Sequence, residues 1–321
     1  MRVMVTGSSG LIGNALVKTL TSPSKNHNVL RAVRSDSESI SGTGDAATAH
    51  RDIIRWNPMD LENGLSARDL ADVDAVVHLA GANLAGKRWT AAYKDVIRES
   101  RVRSTKLISK KLVEAIRASG SAGTRKTLVC ASAIGIYGDR GDEILTEEST
   151  IGKGFLPEVC VEWEQAAQVA KEAGVRVCHA RFGMVIDPNG NEGAMKPMVR
   201  VFKLGLGGKL GSGKQWWSWV SLGDAVRALE FLLMNESARG SYNVVSPNPV
   251  TNAEFTKALG KSLHRPTVVP APAFALKLAM GEMAEAAILS SARVKPMRLM
   301  DAGFAFEEAR IEEAIGQRVT E

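Results

Sequence analysis

The sequence predicts an α/β protein with a Rossmann-type, doubly wound parallel sheet and a smaller C-terminal lobe. Short apolar, β-rich runs alternate with helical patterns through the first two-thirds of the chain, as expected of a parallel sheet covered by helices. A glycine-rich segment follows the first of these runs and opens the first helical pattern. At 321 residues the chain also exceeds the size of most single hydrophobic cores, which favours an appended lobe.

The predicted elements follow one another in a regular order. Their apolar, β-branched runs predict strands at 2–6, 29–33, 53–56, 75–79, 127–131 and 175–180. Apolar residues at helical spacing predict helices at 11–20, at 91–118 and near 162–173. A Ser-, Gly-, Thr- and Ala-rich stretch at 35–49 predicts a flexible loop. Two later segments, 224–234 and 242–245, are predicted to return to the main sheet.

The domain boundaries follow from a change in the pattern after Pro188. Beyond it, Gly- and Pro-containing segments, three tryptophans and a late helical region replace the regular alternation. The tryptophans could line an apolar pocket or simply pack in a core. We predict a main domain at 1–185, to which 216–249 returns, and a substrate-binding lobe at 186–215 and 250–321.

The net charge of +6 is not spread evenly along the chain. Residues 87–111 hold nine basic side chains against only Asp95 and Glu99. Such a local positive field attracts phosphates or acidic substrates, although most of these side chains are expected on a solvated helix face. Nucleic-acid binding is the weaker alternative, because no recognised nucleic-acid module accompanies the charge. We therefore predict no nucleic-acid partner.

The apolar runs and the cysteines indicate in which compartment the protein works and whether it holds a metal site. No apolar run reaches the length of a membrane-spanning helix, and the first strand leads directly into the glycine-rich segment without room for a leader. The three cysteines, Cys130, Cys160 and Cys178, are widely spaced and have no histidine run beside them. A disulfide framework or a metal site is therefore not expected, and a reducing interior fits best. We predict a cytoplasmic protein without a membrane partner.

The glycine-rich segment has the spacing G-x-x-G-x-x-G between a strand and a helix. Glycines at these positions allow a tight turn, a close backbone approach to a pyrophosphate and close packing of the helix on the strand. The free N–H groups at the start of the helix then face the negative charge. The spacing predicts a dinucleotide-binding loop, formed by Gly7, Ser8, Ser9, Gly10, Leu11, Ile12 and Gly13.

The end of the second predicted strand indicates which dinucleotide binds. An NAD site usually carries Asp or Glu about 20 residues beyond the loop, on the ribose 2′-hydroxyl. Here the strand ends on Arg31-Ala32-Val33-Arg34, and the first acid is Asp36. A guanidinium matches a 2′-phosphate in charge and in geometry. Arg34 therefore predicts NADP(H) as the cofactor.

A second glycine motif at 208–214 has the G-x-x-x-x-G-K spacing of a nucleoside-triphosphate loop. The next residue is Gln215, so the magnesium-binding hydroxyl is missing, and no helical pattern follows. We reject it as a triphosphate site and predict a loop near the substrate lobe.

Motifs along nearly the whole chain resemble the extended short-chain dehydrogenases/reductases, and in particular the epimerase/dehydratase-like, cell-division-inhibitor-like subgroup. They are the glycine loop, the segments 78–83 and 132–138, Ser100-Arg101, Trp163-Glu164 and the segment 181–185. The resemblance implies a Rossmann fold and a homodimer, a state common among extended members. It also implies further residues that line the nucleotide: Leu79, Ala80, Gly81, Arg101 and Val185.

The acid–base pair of that superfamily, Tyr-x-x-x-Lys, is absent from this chain. None of the three tyrosines has a lysine four residues later. Alignment on Trp163-Glu164 places Leu156 and Cys160 at the two positions. Cys160 is either a reactive thiol or, as free cysteines more often are, a small buried hydrophobe.

Two hydroxyl groups remain as catalytic candidates, Ser132 and Tyr137, on the segment that follows the fifth strand. Segments at the carboxyl ends of parallel strands are where such folds bind ligands. Without a neighbouring lysine, Tyr137 is expected to keep a pKa near the ordinary value of about 10. Turnover would then be slow and would rise on the alkaline side.

The sequence thus indicates an NADP(H)-dependent oxidoreductase, or an epimerase of the sugar-nucleotide type, that acts on an unidentified small carbonyl or hydroxyl compound. The alternative is a non-catalytic protein that binds NADP(H) as a sensor, for example in cell division or redox regulation. The missing Tyr–Lys pair favours the sensor, whereas the retained Ser132 and Tyr137 favour the enzyme.

Overall fold

The computed structural model describes residues 1–25, 27–35, 52–119 and 126–316. The central sheet has seven parallel strands in the order β11-β7-β5-β4-β1-β2-β3. These strands are β1 Arg2–Thr6, β2 Asn28–Arg34, β3 Ile53–Trp56, β4 Ala75–His78, β5 Thr127–Ala133, β7 Arg176–Phe182 and β11 Gly240–Val244. Among the described residues, six short strands lie outside it: β6 Ile144–Leu145, β8 Met184–Ile186, β9 Trp216–Trp217, β10 Trp219–Ser221, β12 Val250–Thr251 and β13 Arg293–Val294.

The fold class predicted from the sequence is confirmed, and each predicted strand is present with its ends within two residues of the predicted ones. The described α-helices are α1 Leu11–Leu20, α2 Ala91–Ala118, α3 Phe155–Gln165, α4 Gln168–Glu172, α5 Met195–Lys203, α6 Leu222–Met234, α7 Asn252–Ser262, α8 Ala273–Met280, α9 Met297–Asp301 and α10 Ile311–Gly316. The predicted loop at 35–49 lies, except for Ser35, outside the described residues.

The prediction of one helix near 162–173 is wrong both in where the helix begins and in treating the segment as continuous. It is two helices, α3 and α4, and α3 begins at Phe155. Pro157 lies in the first turn of α3, where the missing N–H has no partner within the helix in any case. The proline is therefore compatible with a helix that the apolar spacing alone does not reveal.

Helices cover both faces of the sheet, as a doubly wound fold requires. On one face, Leu16 of α1 and Leu229 of α6 pack on Val3 and Val5 of β1. On the other face, Leu107, Ile108 and Leu112 of α2 belong to the core that includes Met4. The C-terminal ends of β1, β4 and β5 therefore lie between helices, and the loops that follow these strands lie at one end of the sheet.

The C-terminal elements have an apolar core of their own. Trp217 and Trp219 are buried there with Phe255 of α7 and Ile311 of α10, so at least these two tryptophans serve core packing. The division of the chain into a main domain and a substrate lobe at the stated boundaries stays a prediction. Within the described part of the chain, no helix is both long and apolar enough to cross a membrane.

Candidate functional site

The glycine loop packs so tightly that its two end positions accept no side chain. Gly7 has a φ of +64°, and a Cβ there would lie 2.8 Å from the backbone carbon of Leu79. A Cβ on Gly13 would lie 2.2 Å from the carbonyl oxygen of Gly7. Because these glycines have no side chains, the loop can pack closely against the start of α1 and the end of β4.

The middle of the loop is open, and this openness is what a cofactor phosphate requires. A Cβ on Gly10 would meet nothing closer than the Gly7 carbonyl oxygen at 3.4 Å, and Ser9 and Gly10 are exposed. Gly10 is the N-cap of α1, which has no side-chain cap and no acidic residue in its first turn. The unsatisfied N–H groups and the positive end of the helix dipole therefore fit a dinucleotide pyrophosphate.

A buried hydrogen-bond chain holds the next lining segment, Leu79 to Gly81. The hydroxyl of Thr6 accepts the N–H of Leu79 at 3.1 Å and that of Ala80 at 3.3 Å. The Nδ1 atom of His78 lies 2.7 Å from this hydroxyl, and its Nε2 lies 2.9 Å from Ser104 Oγ. Sequence reasoning did not assign a role to Thr6, His78 or Ser104.

The direction of this chain follows from its last member. The Ser104 hydroxyl donates to the carbonyl of Ser100 at 2.7 Å, so it accepts from Nε2–H of His78. Nδ1 is then the acceptor, and the hydroxyl of Thr6 donates to it. Burial lowers the pKa of His78 to about 3, so the ring is neutral, as this arrangement requires.

Arg101 reaches from α2 to the same segment. A Cβ on Gly81 would lie 3.3 Å from the guanidinium carbon of Arg101, which also lies 5.1 Å from the centre of the Trp163 ring. Its Nη1 donates to the carbonyl of Ile97 at 3.0 Å. Burial lowers the pKa of Arg101, and no ion pair of this side chain occurs among the described residues. The half-buried guanidinium is thus suited to a phosphate or a ribose hydroxyl.

β2 carries a second arginine besides the one at its end. Arg34 is exposed at the last position of the strand, as the sequence predicts. Arg31 is half-buried, and its Nη2 donates to the carbonyl of Ser8 at 2.9 Å and lies 3.4 Å from Oδ1 of Asn14. Strand alternation places Arg31 on the sheet face that α1 covers, beside the glycine loop. Its contact with the loop could not be read from sequence spacing.

Val185 closes the other side of the loop. It lies in β8, which pairs with β10 so that Val185 is opposite Val220. Together with Ile12 and Leu79, it packs against the core beneath α1. The turn that follows β8 also returns to the loop, since a Cβ on Gly193 would lie 3.2 Å from Leu11 Cδ2. The structure therefore gathers the glycine loop, Leu79 and Val185 around the start of α1, and Arg101 lies beside Gly81.

Ser132 and Tyr137 are both buried, and both hydroxyl groups are engaged. Ser132 donates to Oε1 of Glu164 at 2.7 Å. Tyr137 donates to Oδ1 of Asn243 at 2.7 Å and accepts a hydrogen bond from Nη1 of Arg181 at 3.0 Å. The structure brings the two predicted residues into one network, but their exposed fractions are 3% and 1%. Their catalytic role stays a prediction.

The expectation of an ordinary pKa for Tyr137 is wrong. Burial raises the pKa of the phenol, although the charge and hydrogen bond of Arg181 oppose the shift. Burial alone would also raise the pKa of Glu164, but the hydrogen bonds and charge of Arg181 hold it below its usual range. At neutral pH the network therefore contains a neutral tyrosine and a charged carboxylate–guanidinium pair.

Leu156 and Cys160 form an apolar wall beside the segment that ends β5. A Cβ on Gly135 would lie 3.5 Å from Leu156 Cβ and 3.9 Å from the Cys160 sulfur. Cys160 is free and buried, and burial raises the pKa of its thiol to about 12. The wall therefore offers no acid or base at neutral pH, which favours the interpretation of Cys160 as a small hydrophobe.

The loop rejected as a triphosphate site is followed by the strand Trp216–Trp217, not by a helix. No group of three or more His, Cys, Asp or Glu that could hold a metal ion occurs among the described residues.

The chain is similar over nearly its whole length to known proteins. Residues 3–245 match the model of the NAD dependent epimerase/dehydratase family, and residues 271–317 match a domain of unknown function, DUF1731. An epimerase family protein of Mycobacterium bovis is 41% identical over 318 residues, which cover 99% of this chain and 97% of that relative. The chloroplastic epimerase family protein SDR39U1 homolog of Arabidopsis thaliana is 35% identical, over 98% of this chain and 86% of its own.

A solved structure is similar over the same extent. The crystal structure of human epimerase family protein SDR39U1 (isoform 2) with NADPH superimposes with a TM-score of 0.81 at 27% identity. The match covers 99% of this chain and 98% of the human chain.

Proposed function

Because the chain belongs to the NAD-dependent epimerase/dehydratase family, we propose that it binds NADP(H) and acts as an oxidoreductase or an epimerase on a small carbonyl or hydroxyl compound. The extended short-chain fold that its motifs indicate is confirmed. The observation that carries the proposal is the open, uncapped start of α1 at the end of a loop whose Gly7 lies against the backbone of Leu79 and Ala80.

The chain's own residues account for binding of each part of the cofactor. The N–H groups at the start of α1 would bind the pyrophosphate, and Arg31 and Arg34 would bind a 2′-phosphate. Arg101, which lies beside Gly81, would bind a group nearer the nicotinamide. The bound cofactor supplies the hydride donor or acceptor. The human relative solved with NADPH supports the choice of NADP(H) over NAD(H).

The proposed role of Ser132 and Tyr137 is to position the segment that follows β5. Both hydroxyl groups are buried and bonded to other side chains, so neither is placed to touch a substrate. Leu156 and Cys160 would exclude water from the same region. Proton transfer would then depend on groups outside the usual Tyr–Lys pair, and this predicts slow turnover.

Calorimetric titration with NADPH and NADH tests cofactor binding. Tight binding of NADPH with much weaker binding of NADH is expected, and equal affinities would contradict the assignment of Arg31 and Arg34. A panel of aldehydes, quinones and nucleotide sugars then tests turnover. An oxidoreductase consumes NADPH, whereas an epimerase interconverts two sugars without net consumption of cofactor. If no compound in a broad panel reacts, the proposed catalytic activity is wrong and only cofactor binding remains.

We also propose which partners the protein has and in which compartment it works. The partner is a small molecule rather than a nucleic acid, and the chain forms a homodimer. All three cysteines are free and buried, which supports a reducing compartment such as the cytoplasm.

A further inference from the structure

Two segments of the C-terminal half carry basic side chains and no acidic ones. Residues 195–214 contain five lysines and arginines, and residues 255–281 contain four more, with no Asp or Glu in either segment. The whole chain, by contrast, balances 41 basic against 35 acidic residues. The excess of positive charge in these segments is therefore local and not a property of the overall composition.

The same two segments expose large apolar side chains. Leu204, Val268, Phe274 and Leu278 are each about three-quarters exposed, at 75%, 77%, 74% and 76%. Val201, Leu206 and Val269 are exposed to a smaller degree. Isolated exposed hydrophobic residues are ordinary, but a contiguous group of them marks an interaction site.

Backbone hydrogen bonds show that the two segments are neighbours. The chain folds back over the end of α5, where the N–H of Leu206 donates to the carbonyl of Val201 at 3.2 Å. The N–H of Val269 then donates to Gly207, also at 3.2 Å, and that of Ala271 to Lys209 at 3.0 Å. Residues 206–209, which follow α5, are therefore adjacent to residues 269–271, which precede α8, and the two basic segments meet there.

Both helices of this surface mix charge and apolar groups on their exposed sides. On α5, Met195, Val199 and Phe202 are buried, whereas the opposite side exposes a mixture of basic and apolar residues. On α8, no residue is buried, and Phe274 and Leu278 lie one turn apart on the same side. We define the basic–apolar surface by Lys196, Arg200, Val201, Lys203, Leu204, Leu206, Lys209, Arg265, Val268, Val269, Phe274, Lys277 and Leu278.

Most of the positive charges on this surface are not neutralised by the protein itself. Within the described ranges, Lys196, Arg200, Lys203, Lys209 and Arg265 take part in no ion pair. Lys277 is the exception, since it pairs with Glu285. A complementary partner must therefore bring negative charge together with an apolar layer.

We propose that the basic–apolar surface lies on an anionic phospholipid bilayer. Acidic headgroups match the unpaired lysines and arginines, and the acyl layer beneath them accepts protruding Phe and Leu side chains. A second copy of the chain is a poor occupant, because two surfaces of the same strong positive charge repel each other. Nucleic acid is also disfavoured, since the apolar side chains are almost all aliphatic and only Phe274 offers a ring for stacking.

This surface association differs from the membrane contact that the sequence argues against. The prediction of no membrane partner depends on the absence of a spanning helix, and a protein that lies on the headgroups needs none. The proposal does not depend on the activity of the chain or on its choice of cofactor. Cofactor binding can therefore serve as an independent test of folding in each variant.

Sedimentation with vesicles tests the proposal on the full-length protein. Vesicles of phosphatidylcholine that contain about 30% phosphatidylglycerol should bind the protein, whereas pure phosphatidylcholine should not. Binding to the anionic vesicles should weaken as salt is raised, because exposed charges are screened. Absence of binding to anionic vesicles at low salt, or equal binding to both vesicle types, overturns the proposal.

Two variants separate the apolar and the electrostatic contributions. Phe274→Ser/Leu278→Ser should lower vesicle affinity at least about 10-fold, because the inserted side chains are lost. Lys196→Gln/Arg200→Gln/Lys203→Gln should lower it roughly 100-fold, at about 1 kcal/mol for each basic residue near an anionic surface. Both variants should keep wild-type thermal stability and cofactor affinity.

Matched controls carry similar changes on other faces. Val96→Ser/Val169→Ser removes two exposed apolar side chains, and Lys18→Gln/Lys106→Gln/Lys171→Gln removes three exposed charges. Neither should change vesicle affinity by more than about 2-fold, and a loss as large as that of the matching variant overturns the proposal.

Size-exclusion chromatography with light scattering provides one further outcome. A dimer that Phe274→Ser/Leu278→Ser converts to a monomer would mean that a second copy covers this surface, and the lipid proposal is then wrong.

Discussion

Arg181 and Glu164 form a two-bond ion pair inside the protein, with Nε and Nη2 of the arginine 2.7 and 2.9 Å from the two carboxylate oxygens. The side chains are only 11% and 14% exposed. The carboxylate also accepts hydrogen bonds from Ser132 at 2.7 Å and Ser241 at 3.0 Å, and the third nitrogen of the guanidinium donates to Tyr137. The pair therefore joins α3 to β5, β7 and β11 next to the segment that carries Tyr137.

Removal of one partner of this pair should be more damaging than removal of both. Glu164→Met leaves the Arg181 guanidinium buried without its carboxylate, which should lower the free energy of unfolding by about 3–5 kcal/mol. Glu164→Met/Arg181→Met should recover a large part of this loss, because no uncompensated charge remains. Urea unfolding followed by circular dichroism measures both values.

The exposed pair of Arg103 and Glu99 on α2 is the matched control. Glu99→Met should change the free energy of unfolding by less than about 1 kcal/mol, because solvent screens that pair. If the double variant at 164 and 181 is less stable than either single variant, the ion pair does not behave as an isolated charge pair, and this interpretation is wrong.

The buried imidazole of His78 should make the protein sensitive to mild acid. Burial disfavours the charged ring and lowers the pKa of His78 to about 3, well below the ordinary histidine value of about 6.5. The unfolded state therefore binds the extra proton first, and stability falls as the pH drops from about 6.5 towards 3. The upper limit of this effect is about 5 kcal/mol, at 1.36 kcal/mol for each unit of pKa.

The slope of the free energy of unfolding against pH measures this contribution. His78→Asn should flatten the slope across this range, although it also lowers stability near neutral pH because the Thr6–His78–Ser104 chain is broken. His264 is exposed, so His264→Asn should leave the slope unchanged. An unchanged slope in His78→Asn would mean that another group governs the acid sensitivity.

The two arginines of β2 should both contribute to the preference for NADPH. Arg31→Met and Arg34→Met should each weaken NADPH binding by about 1.5–3 kcal/mol, the range for hydrogen bonds to charged groups, with little effect on NADH. Calorimetry with the fragments 2′,5′-ADP and 5′-AMP isolates the 2′-phosphate from the rest of the cofactor. Arg117→Met, at the exposed end of α2, is the control. If Arg31→Met weakens both fragments equally, Arg31 supports the loop and does not contact the 2′-phosphate.

Two glycines of the loop should respond differently to the same substitution. Gly13→Ala forces a Cβ against the Gly7 carbonyl oxygen, 2.2 Å away, and should lower the free energy of unfolding by about 1–3 kcal/mol. Gly10→Ala meets no protein atom closer than 3.4 Å, so stability should be kept. Its methyl group would occupy the space of the pyrophosphate, and NADPH affinity should fall at least about 10-fold. Unchanged NADPH affinity in Gly10→Ala would move the phosphate site away from this loop.

The sequence predicts the nucleotide loop well because its requirements are local. Gly7, Gly10 and Gly13 lie within seven residues between a strand and a helix, and their spacing alone indicates tight turns and a free helix end. The role predicted for Arg34 likewise follows from its place at the end of a strand. Such features depend on neighbouring residues along the chain, where spacing carries the information.

The contacts that the sequence does not predict are those between distant segments. Thr6 and His78 are 72 residues apart, and only the pairing of β1 with β4 brings them together. Glu164 lies in α3 and Arg181 lies in β7, so the network around Tyr137 depends on the tertiary packing of these two elements. For this reason the sequence indicates a catalytic tyrosine with an ordinary pKa, whereas the structure has a buried one with a raised pKa.

The substitution Tyr137→Phe distinguishes a positioning role from direct acid–base chemistry. Loss of the hydroxyl leaves Asn243 and Arg181 each without one buried partner, so the free energy of unfolding should fall by about 1–3 kcal/mol. NADPH affinity should stay within about 2-fold of the wild type, because the proposed nucleotide contacts lie around α1. Turnover should fall while the shape of the pH–rate profile between about pH 6 and 9 stays unchanged, since the raised pKa keeps the phenol neutral there. If the wild-type rate instead rises with alkaline pH and the rise disappears in Tyr137→Phe, the phenol itself transfers the proton. Tyr137 would then have to leave Asn243 and Arg181 during turnover, and the positioning role would be wrong.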